Sequence, residues 1–470
     1  MSSSAFRGIF PTLALTLLCA SVPASAQSLP PPATRQLARD ILAELIAINT
    51  TTDSGSTRAG VALAKRLVAA GFPSDDVVLV GPKPHKQNLV VRLRGRGKAE
   101  PILFLSHLDV VEAKREDWTL DPFVLTERDG YFYGRGTSDI KDEVADLIAN
   151  LIRLKRERFV PRRDIIVALT DDEEGGEDNG AAWLLEHRPE LIRAAYVINT
   201  DAGGGQMQDG KRLRNPVQTS EKIYASYSLE VTSPGGHSSL PPPPQENAIY
   251  TLARALDRVA GFRFPIQLNE TTRAFFTRMA DQEGGQLGID LRAVTAGTPD
   301  SATLDRLARL PLYNSAMRNT CVATMLEAGH AENALPQRAR ATIQCRLLPG
   351  ESPAGVRDTL VRVVADTQVR VTLEGEPGTS PPSPLNPEVM KAVESATRAI
   401  WPGVVVLPVM DPWSSDGVTF RQAGVPVYGV SGVFIDVDDY RAHGRDERIE
   451  VRAFYEGIEF MYRLMRALAR

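Results

Sequence analysis

"RDIIVALTDDEEGGEDNGAAWLLEHR", from Arg163 to Arg188, is the stretch whose reading decides the fold. Its first part is an apolar run of strand length, continuous rather than alternating, as a strand covered on both faces requires. From Asn179 onward the apolar spacing is that of a helix. Between them stand Asp171, Asp172, Glu173, Glu174, Glu177 and Asp178, six acidic residues around two glycines. Strand, turn and helix form the unit of a parallel sheet, and in open sheets of this kind ligands bind beyond the carboxyl ends of the strands. Like charges at such density repel one another unless something cationic sits among them. The turn therefore raises the question of which positive charge it holds.

The same rhythm extends to both sides. "RQLARDILAELIAI", "TRAGVALAKRLVAAG" and "DEVADLIANLIRLKRE" have helical spacing, while "NLVVRLRG", "PILFLSH" and "AAYVINTD" read as strands. The predicted fold class is α/β: a doubly wound, mostly parallel sheet forming a catalytic domain whose first part covers residues 34–221. The rhythm breaks near Glu221. "IYASYSLEVTS" alternates in period two, like a strand with one wet face, and a proline run from Pro241 to Pro244 precedes a further helix. A smaller inserted α+β domain is expected over 222–376. Within it, Gly261–Leu312 is helical and irregular and has no evident place. "GEPGTSPPSPLNP" reads as the return linker, and 377–470 resume the α/β pattern. Cys321 and Cys345 flank two strands around a polar loop, and folding about Asn333 sets them opposite each other. A cross-strand disulfide and a pair of buried thiols are both open readings.

The chain has 470 residues, 43% of them hydrophobic and 24% charged, as in an ordinary globular protein. A formal charge of −4 and scattered basic residues exclude nucleic acid as a partner. "MSSSAFRGIFPTLALTLLCASVPASAQ" reads as a secretory signal, residues 1–26, cut after Ala26. No later apolar run is long enough to span a bilayer. Export is expected, to the periplasm in a Gram-negative cell.

Chemistry-bearing residues collect at the strand ends. His107 and Asp109 follow "PILFLS", Glu173 and Glu174 follow "DIIVALTDD", and Asp201 follows "AAYVINT". Asp139 lies in "YGRGTSDIKD" just before a helix, and His443 precedes the last helix. Imidazoles and carboxylates together suit zinc, and this set suits two ions better than one. The charge of two zinc ions is matched by Asp139, Glu174, Asp201 and one bridging hydroxide, with His107 and His443 neutral. Cobalt or manganese suit the same donors. Asp109 shares a strand face with His107, from which its carboxylate can accept the imidazole N–H.

"FLSHLDVV", "GYFYGRGTSDIKD", "TDDEEGGEDNGA", "PGGHSS", "ENALPQRARATIQCRLLPG" and "SSDGVTFRQAGVPVYGV" occur in one order over nearly all the chain beyond the signal. In this they resemble the co-catalytic dizinc aminoacylase and carboxypeptidase family, the carboxypeptidase S branch above all. The resemblance implies that His107 ligates one zinc and that Asp139 bridges both and precedes a non-proline cis peptide. It further implies that Glu174 ligates one ion and Asp201 the other, whose histidine is His443. Glu173 would be the general base. The inserted domain would be a lid, and its closure would bring two groups over the metals: His237, which in several members reaches across a dimer to donate to the reaction's oxyanion, and Arg346, holding a free carboxylate of the substrate. Asn333 would be a polar substrate contact, and a homodimer through the lid is allowed. The implied reaction is hydrolysis of an amide bond beside a free carboxylate in a small molecule or peptide, by a carboxypeptidase, a dipeptidase or an N-acyl-amino-acid hydrolase. Two positions depart from the pattern: Cys345 stands where Asp or Asn often precedes the arginine, and Asp142 stands for a common Gly. His85, His187 and His330 fall in no ligand motif. A non-catalytic exported binding protein on the same fold is the alternative. A serine hydrolase lacks its Gly-x-Ser-x-Gly elbow and a single-zinc protease its H-E-x-x-H.

Overall fold

The computed structural model describes residues 29–470, so the signal reading for 1–26 lies outside the described residues. The core is a ten-stranded mixed sheet with a parallel centre. Strands Arg163–Thr170, Ala99–His107, Tyr196–Asn199 and Val427–Gly429 run parallel side by side. Val77–Lys83 and Lys86–Leu93 extend one edge in antiparallel sense. The other edge continues through Lys211–Glu221, which pairs parallel with Val405–Asp411.

The continuous apolar runs follow from helices on both faces. Ile102, Phe104, Ile165, Val167 and Ile198 point to one side, against helices Pro32–Ala47, Lys141–Arg156 and Val451–Leu468. Leu103, Leu105, Ile166, Ala168 and Val197 point to the other, against Gly180–His187 and Gly417–Gln422. Each alternate residue is therefore buried, whichever way it faces.

After Glu221 the chain leaves this sheet. Strand Ile223–Thr232 lies inside a separate four-stranded antiparallel sheet, between Arg338–Leu347 and Arg370–Glu374, with Thr320–Ala328 at the outer edge. Helices Ala248–Gly261 and Pro353–Val364 cover one face, packing Leu252, Val356 and Leu360 on Tyr227, Leu229 and Ile343. Cys321 faces Cys345 in the strand register, and the two form a disulfide with Cα atoms 4.1 Å apart.

The helical stretch without a place in the sequence reading packs on the larger sheet. Helices Glu270–Glu283, Gly285–Thr295, Ser301–Ala308 and Pro311–Met317 bury Phe276, Met279, Leu291 and Met317 with Leu407 of strand Val405–Asp411. At the crossing between the two sheets, Glu221 is buried and paired with Arg421. The buried Lys222 ammonium donates to the carbonyls of Ser315 (3.0 Å) and Arg318 (2.8 Å).

Candidate metal centre

Strand register explains why distant residues meet. His107 pairs with Thr170, so the acidic turn begins where the His107 strand ends. Leu105 pairs with Asn199, the last residue of the neighbouring strand, so Asp201 follows two residues beyond that strand's end, near His107. Asp139 and His443 arrive on loops, just before helix Lys141–Arg156 and strand Arg448–Glu450 respectively.

Two groups of possible ligand atoms result: His107, Asp139 and Asp201, and Asp139, Glu174 and His443. Asp139 belongs to both. One of its oxygens lies 3.4 Å from His107 Nε2 and the other 3.1 Å from His443 Nε2. Its peptide bond to Ile140 is cis. His443 Nε2 lies 2.9 Å from Glu174, and His107 Nε2 lies 3.9 Å from Asp201. This corrects one expected pairing: His443 shares its group with Glu174, while Asp201 stands with His107.

The donor set fits a pair of divalent cations. His107 is buried and its Nε2 has no hydrogen-bond partner. Its separations from Asp139 and Asp201 exceed hydrogen-bond length. They match the spacing of roughly 3.4 Å expected between two ligands each about 2.1 Å from one tetrahedral ion. Hydrogen bonds to Asp139 and Glu174 push His443 up to about 10. Burial works against the charged form of His107, yet Asp109 and Asp139 raise it well above the usual imidazole range.

The loops are held by carboxylates that do not ligate. The Asp109 carboxylate accepts the Glu173 N–H (3.2 Å) and the Glu174 N–H (2.9 Å), fixing the turn that carries both. Its expected partner, His107 Nδ1, instead lies 3.0 Å from the Asp109 backbone carbonyl and 3.5 Å from the carboxylate. The buried Glu447 carboxylate accepts the N–H groups of Gly136, Ser138 (2.8 Å) and Asp139 (3.1 Å), and pairs with Arg135 at 2.6 Å. The sequence reading missed it; the acidic "RDERIE" before the last helix was its only trace. Asp416 likewise binds Thr170 (2.8 Å) and Asn179 (2.7 Å) at the two ends of the acidic turn.

The turn's own charges divide three ways. Asp171 accepts from the Ser56 N–H and hydroxyl, Asp172 and Asp178 meet Lys86 and Lys83, and Glu174 faces the ligand group. A metal pair is thus the counter-charge for only one end of the cluster. Glu173 joins neither ligand group; burial, then Asp201, raises its carboxyl well above the usual range. The departing Asp142 and its neighbour Glu143 are buried, and burial drives both carboxyls upward.

The lid residues separate. Gly236–His237 pairs with Ala334–Leu335, and the Ser238 N–H donates to the Asn333 carbonyl at 3.0 Å, so His237 and Asn333 meet at one end of the lid sheet. The Ser239 N–H donates to His237 Nδ1 at 3.2 Å, leaving Nε2 to carry the proton and point a donor outward. Arg346 stands at the other end, over the Tyr224 ring at 4.9 Å. Tyr224 pairs with Arg346 and Thr232 with Arg338, so roughly 26 Å of strand lies between those ends. The two residues therefore stand at opposite ends of the lid sheet.

A sheet edge gathering two imidazoles and three carboxylates into paired sites defines an α/β metal-dependent hydrolase. The chain belongs to peptidase family M20/M25/M40, whose model matches residues 103–467. It is 29% identical over 377 residues to the human N-fatty-acyl-amino acid synthase/hydrolase PM20D1, covering 78% of this chain and 74% of that one. It is 28% identical over 409 residues to a probable carboxypeptidase S-like protein of Dictyostelium discoideum, covering 82% and 77%. Among solved structures, a family M20 metallo-carboxypeptidase of Sulfolobus solfataricus superposes with a TM-score of 0.66 at 16% identity, covering 92% of this chain and 99% of that one.

Two outcomes follow for metal binding. Glu447→Gln should weaken zinc affinity by about 10- to 100-fold, as loss of such a supporting group does, measured by competition with a chelator. Because the Asp139 and Glu174 hydrogen bonds push His443 up to about 10, a cation binding its ring nitrogen must displace a proton at neutral pH. Apparent zinc affinity should therefore rise with pH by about tenfold per unit for each proton displaced, and calorimetry in buffers of different ionisation enthalpy should register the protons released.

Proposed function

We propose that the protein hydrolyses an amide bond next to a free carboxylate, in a peptide or an N-acyl amino acid. The observation that carries this reading is a carboxylate, Glu173, held beside two cation-sized ligand groups while belonging to neither. His107, Asp139 and Asp201 would hold one ion, and Asp139, Glu174 and His443 the other. Zinc ions so held lower the pKa of a coordinated water and polarise a carbonyl. Neutralisation of Asp201 would remove the largest cause, after burial, that raises the Glu173 carboxyl. Glu173 then accepts the proton of the attacking water and passes it to the leaving amine. His237 donates from Nε2 to the oxyanion, and the Arg346 fork holds the substrate carboxylate.

The separation within the lid favours a homodimer in which His237 serves the cluster of the other copy. Val322, Met325 and Leu326 stand exposed on the outer lid strand, an unpaired edge of the kind a second copy can cover. The Cys321–Cys345 disulfide supports export into an oxidising compartment.

Glu173→Gln should retain both metal equivalents yet lose about a thousandfold or more in kcat; near-normal turnover with metal bound defeats the assignment. His237→Ala and Arg346→Ala should each be inactive alone. Mixed and reassociated, they should recover about a quarter of wild-type activity, since one intact site forms in each mixed dimer. No recovery would place both residues in one copy's site.

A further inference from the structure

The chain enters the smaller sheet at Lys222 and leaves it for the last time through residues 375–386. Both connections meet one buried side chain, Arg421 of helix Gly417–Gln422. On the outward side its guanidinium pairs with Glu221 and donates to the Gln218 side-chain oxygen at 2.9 Å. On the return side its Nε donates to the Ser383 hydroxyl at 3.3 Å, and the Ser383 N–H donates to the Thr219 carbonyl at 2.8 Å. A planar fork with five donors suits such a junction, because it holds several acceptors in one fixed geometry.

The carboxylate that Arg421 pairs with also leads to the ligand cluster. Glu221 Oε2 accepts the Ser415 N–H at 2.9 Å and lies 3.3 Å from the Ser415 hydroxyl. That hydroxyl oxygen accepts the Gly417 N–H at 3.2 Å and the Asn199 side-chain N–H at 3.1 Å. With both lone pairs taken, its proton is left to donate to Glu221. The oxygen of the Asn199 amide accepts the Asp201 N–H at 3.1 Å. An unbroken chain of hydrogen bonds thus runs from Glu221 through Ser415 and Asn199 to Asp201. Glu221, Ser415 and Asn199 are all buried, where hydrogen bonds are electrostatically stronger than in water. The next residue, Asp416, binds Thr170 and Asn179 at the ends of the acidic turn. Two adjacent residues therefore face the crossing on one side and two ligand-bearing loops on the other.

We propose that Ser415 is a positioning residue: it links the connections of the inserted domain to Asp201, so that the orientation of that domain and cation binding at His107, Asp139 and Asp201 favour one another. This rests on the ligand assignment above and on no particular substrate. Ser415 belongs to neither ligand group; its effect passes through the Asn199 amide, which holds the backbone at Asp201. Coupling of this kind is reciprocal, so a shift at the crossing changes the affinity of the ligand group, and filling that group steadies the crossing.

The test is a double-mutant cycle on the full chain, read by cobalt binding rather than by turnover. Titration with cobalt(II), followed by the visible absorption of the bound ion, gives the affinity of each equivalent. Ser415→Ala removes the link and should weaken one equivalent by about 10-fold or more, leaving the other within about threefold. Arg421→Lys keeps a charge beside Glu221 but reaches fewer acceptors, and should weaken the same equivalent. The double variant should bind no more weakly than Ser415→Ala alone, because the shift at the crossing no longer reaches Asp201. Where Arg421→Lys does not fold, Ser383→Ala, which frees only the return connection, takes its place in the cycle. Losses that add in the double variant show independent effects and overturn the link. A Ser415→Ala protein that binds both equivalents like wild type overturns it, as does one that loses both alike through general loosening of the fold. A wild-type chain that binds no cobalt overturns the ligand assignment and the link with it. A cycle that closes as expected in a protein without amide hydrolysis upholds the link and overturns only the function proposed above.

Discussion

Asp139, Glu174 and Asp201 converge within a few ångströms, and no lysine or arginine pairs with them among the described residues. Two like charges about 4 Å apart cost about 4 kcal/mol at the effective dielectric of a protein surface. Everything else in the site answers this cost. The histidines register it: His443 is pushed up to about 10 and His107 well above its ordinary range. A divalent pair held by His107, Asp139, Asp201, Glu174 and His443 would supply fixed positive charge at the same atoms.

The cluster stays together because the backbone around it is tied by other carboxylates. Asp109 receives two consecutive N–H groups of the acidic turn, Glu447 receives three from the loop that carries Asp139, and Asp171 receives the Ser56 N–H. A carboxylate accepts only, at two oxygens, so a single buried side chain can satisfy several orphan donors of an irregular loop. Such loops cannot satisfy their own donors as strands or helices do. The positioning of ligands at the sheet edge is thus bought with buried anions, and Arg135 under Glu447 offsets one of them.

What the sequence disclosed follows from how local its causes are. The strand Arg163–Thr170 and helix Gly180–His187 were legible because apolar periodicity is a property of adjacent residues. The five ligand candidates were legible because strand ends in a parallel sheet share an edge. Their pairing was not, since whether His443 meets Glu174 or Asp201 depends on the path of a loop after residue 436 rather than on any pattern. Glu447 and Asp416 were illegible for a related reason: a carboxylate that caps backbone N–H groups leaves no periodic or spacing signal. Helices Glu270–Met317 escaped placement because their apolar faces answer to Leu407, more than ninety positions downstream of Pro311. The separation of His237 from Arg346 became visible only once the strand register gave it a length.

The helical segment and the lid enter the site differently from the ligands. Each ligand side chain is fixed by sheet register and by a buried carboxylate behind its loop, so a change there propagates into the charge balance of the whole cluster. The cavity against the helical segment and the cavity beside Asp139 and Asp201 have Gly203, Gly204, Gln206 and Trp413 in common. Gln206 is itself held from outside the cluster, by the Arg214 guanidinium at 2.7 Å. Side chains such as Leu312 and Phe275 can therefore vary without disturbing Asp139 or Asp201. The lid is likewise joined through a rigid crossing, where Glu221 bonds to Arg421 and Lys222 closes the carbonyls of the helical segment's last turn. The helical segment and the lid are in this way mounted on elements outside the carboxylate ties that hold the ligand loops.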